Sequence, residues 1–410
     1  MPSKIIDARQ TAKALREPTL ISFVDMARWL AAMMVMLAHA RNPLIIGYGE
    51  LAAGDQRPWV QAWFWLTGFH AQAVLVFFVL SGFLVGGLSM ARAADGRFES
   101  GGYAIDRIAR LFIAFLPALA LTFGLDWIGV HYFGGTGLYD GTHPMVIAKS
   151  HGLAFQDLLS GGVVLGNITM LQYYFTPVLG SNQPLWTLST EFWFYMVFGL
   201  CLTGAIARGR TRYVSLALAL VAVAALGGMF VSYLGQWLVG LAVAMIYAPR
   251  LSRPVSATIA LVLWLAICRF QDAAIDADLA LRMTTEYVTA ILFGWVLLSM
   301  RGRRIVVFEW LAPFNKFMAD FSYSLYLVHF PVLIFATAVL GSVTNIAGYR
   351  EGFRPTDPVG IASYVGIIIL ILAVAWLFAQ LTERHTADLR RYLRQRFHQA
   401  KGRTPHIAPE

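Results

Sequence analysis

The chain has 410 residues, of which 58% are hydrophobic and only 13% are charged, and its mean hydropathy is +0.61. This composition excludes an ordinary soluble domain and predicts an all-α, polytopic bundle of transmembrane helices. A formal net charge of +9 would suit nucleic acid, but the basic residues fall between apolar stretches, as the positive-inside rule describes. We therefore expect a lipid bilayer as a partner and no nucleic acid. Cys201 and Cys268 lack a metal-ligand spacing, so no metal is expected.

Ten apolar windows approach the length of about 20 residues that a bilayer crossing requires. We assign residues 1–19 to a cytoplasmic N-terminal tail, 20–381 to the membrane domain, and 382–410 to a basic amphipathic cytoplasmic tail. The predicted spans are 20–40, 69–90, 111–130, 185–205, 214–230, 232–247, 255–268, 285–300, 317–340 and 359–381.

Most of the 32 Lys and Arg residues lie in alternate connecting segments and in the two tails, which predicts that both termini are cytoplasmic. In the C-terminal tail, Leu389, Leu393 and Phe397 recur every four residues among arginines, which predicts a helix lying on the anionic inner leaflet. The apolar segment 157–174 contains Asn167, and we predict an interfacial or re-entrant helix there. The longest outer loop, 134–156, either contacts an acceptor or serves as a connector.

The first span reads ISFVDMARWLAAMMVMLAHA and carries Asp25, Arg28 and His39. Ionisable groups inside a membrane are costly and commonly mark functional sites. Arg28 and His39 are eleven positions apart, which places them on one helix face about 16 Å apart. Asp25, three residues before Arg28, is close enough to pair with it. The alternative is a purely structural ion pair with a hydrogen-bonded histidine.

The second and third spans carry glycines and arginines with two possible uses. Ser81 precedes Gly82 and Gly86 in FFVLSGFLVGG, and the small-xxx-small spacing favours close helix packing over catalysis. Arg107 and Arg110 in DRIARLF project from one face. Such a pair of guanidinium groups suits a polyphosphate ligand, although positive-inside anchoring explains it equally well.

The fourth and ninth spans supply a carboxyl group and a second histidine. Glu191 lies seven residues into PLWTLSTEFWFYMVFGL, at a depth similar to that of His39. A carboxylate beside His39 could orient the imidazole for general-base work, or it could make a structural hydrogen bond. In FSYSLYLVHFPVLIF, Pro331 frees a backbone carbonyl near His329. His329 itself is expected to be a satisfied core histidine rather than a catalyst.

Five segments together resemble the bacterial acyltransferase family 3, whose members are integral membrane enzymes. They are FVDMARWLAAMMVMLAHA, FFVLSGFLVGG, DRIARLFIAFLP, PLWTLSTEFWFY and FSYSLYLVHFPV. The resemblance implies an inner-membrane enzyme that moves an acyl group, usually acetyl, from cytoplasmic acyl-CoA to a hydroxyl at the outer face. It marks Arg28 and His39 as most needed for activity and links Arg107 and Arg110 to the CoA end. Thr190 and Phe192, beside Glu191, depart from the usual pattern.

We predict that His39 is the general base, tuned by Glu191 or Asp25, and that acetyl-CoA is held by Arg107, Arg110 and Arg28. Supporting positions are expected at Ser324, His329, Trp186 and Ser81. The acceptor would be an exopolysaccharide, O-antigen, glucan or lipid-linked sugar. The alternatives are transfer of succinyl or another acyl group, or a transporter of lipid-linked sugar or small anions.

Overall fold

The computed structural model describes residues 17–143, 154–246, 253–270 and 278–400. The N-terminal tail up to residue 16, part of the longest outer loop (144–153), Arg250 and the tail beyond residue 400 lie outside the described residues. The described residues are predominantly helical. Their helices are α1 (Pro18–Arg41), α2 (Pro58–Leu66), α3 (His70–Ser81), α4 (Gly87–Ala94), α5 (Ser100–Tyr132), α6 (Gly161–Ile168), α7 (Trp186–Ile206), α8 (Arg210–Met245), α9 (Pro254–Phe270), α10 (Leu279–Met300), α11 (Val306–Ala319), α12 (Ser322–Thr344), α13 (Gly348–Glu351), α14 (Pro358–Leu381) and α15 (Thr386–Ala400).

Contacts between helix ends define one side of the bundle. Ser100, at the start of α5, lies 2.7 Å from Thr203 near the end of α7. Arg301, just after α10, donates to the carbonyl of Val243 at the end of α8 over 3.0 Å. These ends adjoin the segments predicted to be cytoplasmic, and we call this the arginine-rich side.

Helix α8 is a hairpin of two membrane-crossing arms. Its 36 residues would extend about 54 Å if straight, well beyond the bilayer core of about 30 Å. Gly227 interrupts it with φ 79° and ψ −171°, a backbone conformation that glycine adopts without penalty. Leu216 of the first arm packs against Gly204 of α7, while Val243 of the second arm receives the Arg301 hydrogen bond. Both ends of α8 therefore lie on the arginine-rich side.

Eight helices in the described part of the chain are long and apolar enough to cross a membrane, and α9 is a shorter apolar helix. With α9 and the two arms of α8 counted separately, ten apolar helical segments occupy the ten predicted positions. The turn occurs at Gly227 rather than near residue 231. The segment 157–174 holds the eight-residue helix α6, which is too short to span.

The predicted ninth span begins too early, because a separate helix precedes it. Helix α11 ends at Ala319, and α12 begins at Ser322. Asn315 of α11 joins this helix to α1: its side chain accepts from Trp29 Nε1 over 3.0 Å and donates to Ser22 Oγ over 2.9 Å. Such amide bonds hold membrane helices together, so α11 packs along α1 instead of extending α12.

The glycines of the second span allow two helices to cross at backbone contact. A Cβ atom on Gly82 would lie 1.9 Å from the carbonyl oxygen of Trp237 in α8. Reciprocally, a Cβ atom on Gly240 would lie 1.9 Å from the carbonyl oxygen of Val79. The packing role predicted for Gly82 is thereby confirmed. Residues Gly82–Gly86 form a π-helical segment between α3 and α4, a feature often found at functional sites.

Pro331 leaves one backbone carbonyl of α12 without its helical hydrogen bond, and a residue outside the helix bonds to this carbonyl instead. Proline lacks the N–H that would bond the carbonyl four residues earlier, and that carbonyl belongs to Leu327. Asn182 Nδ2 donates to it over 2.8 Å and also bonds Thr122 Oγ1 of α5 over 2.9 Å. The loop before α7 thus joins α5 and α12 close to His329.

The C-terminal helix α15 docks on protein. Arg394 binds Asp106 of α5 through two hydrogen bonds of 2.9 and 2.6 Å. The ring of Phe397 packs over Gly101, where a Cβ atom would lie 2.1 Å from it. These contacts hold α15 against the start of α5, and its placement on the inner leaflet stays a prediction.

Candidate active site

A cavity of about 770 Å³ lies toward the arginine-rich side, with walls from α1, α3, α5, α7, α12 and the segment after α14. We call it the arginine cavity, because six guanidinium groups line it, with four carboxylates. The arginines are Arg28, Arg92, Arg107, Arg110, Arg384 and Arg390, and the carboxylates are Asp106, Glu191, Asp320 and Glu383.

The predicted arginine pair divides into two environments. Arg110 Nη1 lies 3.1 Å from Glu383 Oε2 in an ion pair, and its guanidinium stacks over the ring of Tyr323 at 5.0 Å. Arg107 has no carboxylate at ion-pair distance among the described residues, and its buried Nε lacks a hydrogen-bond acceptor. It lies 5.7 Å from the ring centre of Tyr195. Arg107 is therefore the member whose charge is available to a ligand.

Glu383 is a site residue that the sequence analysis missed. Its carboxylate accepts from the backbone N–H of Ser324 (2.6 Å), from Ser324 Oγ (2.7 Å) and from Arg110. A carboxylate at the N-terminus of α12 also interacts favourably with the helix dipole. Ser324, which was predicted as a supporting residue, thus contacts Glu383 through both its backbone N–H and its hydroxyl group. Glu383 lies two residues after the last predicted span, and this closeness to the membrane is the signal that could have identified it. The sequence analysis assigns the residue to the tail instead.

Arg28 faces the arginine cavity, whereas Asp25 does not line it. Arg28 Nη1 lies 3.9 Å from Asp25 Oδ1, and both side chains are partly exposed. Such a long, partly solvated pair contributes little stability, about 0–1 kcal/mol. Arg28 therefore keeps most of its charge available on the cavity wall.

Glu191 ends a chain of hydrogen bonds along the cavity wall. Trp237 Nε1 donates to Ser81 Oγ over 3.2 Å, Ser81 Oγ lies 3.0 Å from the hydroxyl of Tyr195, and that hydroxyl donates to Glu191. Because the indole N–H can only donate, the Ser81 hydroxyl is oriented toward Tyr195. Ser81 and Glu191, predicted separately, belong to one network.

The two histidines predicted in the first and ninth spans meet across the bundle. His39 Nδ1 lies 2.9 Å from His329 Nε2. His329 Nδ1 donates to the carbonyls of Tyr326 (2.8 Å) and Leu325 (3.1 Å), so its Nε2 is the acceptor for the N–H of His39. This arrangement leaves the lone pair on His39 Nε2, the atom that a general base requires.

The partner of His39 is therefore His329, not Glu191 or Asp25 as predicted. Glu191 is committed to Tyr195 on the cavity wall, and Asp25 is separated from His39 by fourteen helical positions, about 21 Å. The ring of exposed His70, at the start of α3, lies 5.7 Å from that of His39. His39 is partly exposed, whereas His329 is 1% exposed.

The arginine cavity stops short of this histidine pair, because Arg28 lines it whereas His39 and His329 do not. Phe77 and Tyr326, whose rings lie 5.6 Å apart, both line the cavity. The ring of Tyr326 is 5.8 Å from that of His329. Tyr326 therefore lines the cavity and also contacts His329, and Phe77 packs against it on the cavity side.

Trp186 lies apart from the histidine pair. Its indole packs on the rings of Tyr173 and Tyr233, with centroid distances of 5.1 and 5.2 Å. Trp186 thus packs among aromatic side chains, and the supporting role predicted for it stays a prediction.

A family model described as an acyltransferase domain matches residues 21–380 of the chain. This match includes α1 with both Arg28 and His39, and it ends three residues before Glu383. Comparisons with curated proteins and with solved structures give no match.

Proposed function

Because the chain belongs to the integral membrane acyltransferase family 3 and is a multi-pass membrane enzyme, we propose that it transfers an acetyl group from cytoplasmic acetyl-CoA to a hydroxyl group of an exported glycan or lipid-linked sugar. The observation that carries the proposal is the separation of two sites along α1. Arg28 faces a cationic cavity, and His39 forms a histidine pair about 16 Å farther along the helix.

The charge distribution supports a donor that enters from the cytoplasm. The arginine-rich side faces inward by the positive-inside rule, in a bacterial inner membrane. Arg107 and Arg28 then meet the phosphate groups of CoA, for which guanidinium groups are suited. Arg28 is too far from His39 to contact the reacting carbonyl, so its guanidinium serves the donor.

The histidine pair supports general-base catalysis. In the proposed step, the acceptor hydroxyl oxygen bonds to the thioester carbonyl carbon while His39 Nε2 takes the hydroxyl proton. The carbon–sulfur bond then breaks, and the proton passes from His39 to the CoA thiolate. The products are an acetyl ester and CoA thiol, and His39 returns to its neutral form. His329 holds the His39 tautomer without contacting the substrate.

On this proposal, the long pantetheine arm passes between Phe77 and Tyr326 to bring the thioester to His39. The acceptor approaches from the other side, where His39 is partly exposed and His70 lies beside it. On this proposal each substrate keeps to its own side of the membrane domain. Transfer of succinyl or another acyl group would use the same arrangement.

The test is transfer by purified protein in detergent with acetyl-CoA labelled in the acetyl group and an envelope glycan extract as acceptor. We expect label on the glycan with wild type and at least about a hundredfold slower labelling with His39→Ala. A transporter would leave the label on CoA, and that outcome would overturn the proposal. Mass spectrometry of envelope glycans from a deletion strain identifies the acyl group, because a lost acetyl or succinyl group changes the mass differently.

A further inference from the structure

Helix α15 adds one face to the wall of the arginine cavity. Thr386, Arg390 and Arg394 are spaced four apart, so they lie on one helix face. Thr386 and Arg390 line the cavity, and Arg394 binds Asp106 one turn farther on. This face is therefore directed at the cavity and at the start of α5, although it belongs to the segment assigned to a tail.

A buried carboxylate fixes α15 in this position. The side chain of Asp106 is 3% exposed and receives the two-bond contact of Arg394, and Arg92 Nη1 lies 3.6 Å from it. Two-bond guanidinium–carboxylate pairs are strong and geometrically specific. Asp106 directly precedes Arg107, so the same contact sets where Arg390 lies relative to Arg107.

Three cavity arginines lack a carboxylate partner within the described residues. Arg28, Arg92 and Arg110 each lie within 4 Å of an acidic group. Arg107, Arg384 and Arg390 have no such contact, and the last two belong to the segment that follows α14. A cluster of unneutralised guanidinium groups at a cavity suits a ligand with several phosphate groups.

We propose that α15 is part of the donor-binding site, and that Arg390, together with Arg384, binds phosphate groups at the nucleotide end of the acyl donor. This inference rests on the proposed function and extends it to a segment that lies beyond the family match. The Arg394–Asp106 contact is the anchor that holds Arg390 at the cavity mouth.

The test compares Arg390→Ala with Arg391→Ala on the same helix. Arg391 pairs with Asp388 and is exposed, and it does not line the cavity. We expect Arg390→Ala to raise KM for acetyl-CoA about tenfold, the loss typical of one charge-assisted contact, with kcat unchanged. KM for acetyl-pantetheine, which lacks the nucleotide, should not change. Arg391→Ala should resemble wild type, and Arg390→Lys should recover part of the loss.

Equilibrium binding of CoA to the same purified proteins separates the two proposals. If wild type binds CoA but transfers nothing, and Arg390→Ala weakens that binding, the transfer proposal fails and the assignment of α15 stands. An unchanged Kd and KM in Arg390→Ala, or an equal rise in KM for acetyl-pantetheine, would overturn the assignment. A wild-type protein that does not bind CoA would overturn both.

Discussion

His39 Nδ1 lies 2.9 Å from His329 Nε2, although 290 positions separate the two residues in the chain. The backbone carbonyls of Leu325 and Tyr326 accept from the other nitrogen of His329. One helical turn of α12 therefore determines which nitrogen of His39 can take a proton. On the proposed function, His39 is the catalytic base and His329 is a positioning residue.

Replacing the two histidines should have unequal effects on turnover. His39→Ala removes the base and should lower kcat about 10²- to 10⁴-fold. His329→Ala should lower kcat about 10- to 100-fold, which corresponds to one charge-assisted hydrogen bond of about 1.5–3 kcal/mol. KM for acetyl-CoA should change little in either variant. The measurement is steady-state transfer of labelled acetyl groups.

Two further variants distinguish positioning from general damage to the fold. His329→Gln keeps an acceptor for the N–H of His39 and should retain more activity than His329→Ala. His131→Ala changes an exposed histidine on α5 and should behave as wild type. Equal activity of the Gln and Ala variants would contradict the role assigned to His329.

Arg107 and Arg110 should respond differently to substitution, although the sequence presents them as a pair. Arg107 has no carboxylate partner among the described residues, so Arg107→Ala should raise KM for acetyl-CoA with little change in melting temperature. Arg110→Ala leaves Glu383, whose side chain is 7% exposed, without its cation. This should destabilise the protein by about 1–3 kcal/mol, which a thermal-shift assay in detergent can measure.

The double variant Arg110→Ala/Glu383→Gln provides the control. Arg110→Ala leaves the Glu383 carboxylate without its cation, and neutralising that carboxylate should restore part of the lost melting temperature. If the double variant were less stable than Arg110→Ala, the ion pair would not explain the loss.

Much of the fold follows from hydropathy and charge, because a bilayer restricts the chain to apolar helices. The positions of the ten apolar helical segments and the small-residue crossing at Gly82 follow from such patterns. The turn at Gly227 could not be placed, since the apolar run continues through it. A single glycine with positive φ leaves no hydropathy signal.

The partners within the site were less predictable, because they depend on how distant helices align. Glu191 and His39 have similar predicted depths, but depth does not specify the direction in which each side chain points. Tyr195, four residues after Glu191, takes up that carboxylate. Glu383 appeared to belong to a polar tail, and only the fold of α14 onto α12 brings it to Ser324 and Arg110.

The helix crossing at Gly82 should tolerate no added methyl group. In Gly82→Ala or Gly240→Ala, the new Cβ atom would meet a backbone carbonyl oxygen at 1.9 Å, so the helices must separate. We expect a loss of about 1–3 kcal/mol or more and a lower yield of folded protein. Gly366→Ala on α14 is the matched control, since its Cβ atom would have no neighbour within 4 Å. An unchanged melting temperature in Gly82→Ala would contradict the observed crossing.

Phe77 should control passage from the arginine cavity to the histidine pair. Its ring faces that of Tyr326 at 5.6 Å, and on our proposal the pantetheine arm passes between them. Phe77→Trp enlarges the side chain and should slow acetyl transfer about tenfold while Kd for CoA stays constant, because the phosphate contacts lie elsewhere in the cavity. Phe77→Leu keeps an apolar side chain but removes the ring, and it should retain transfer. Single-turnover measurements with bound donor test the passage directly, since they exclude binding and product release. If Phe77→Trp transferred its bound acetyl group at the wild-type rate, the thioester would have to reach His39 by another route.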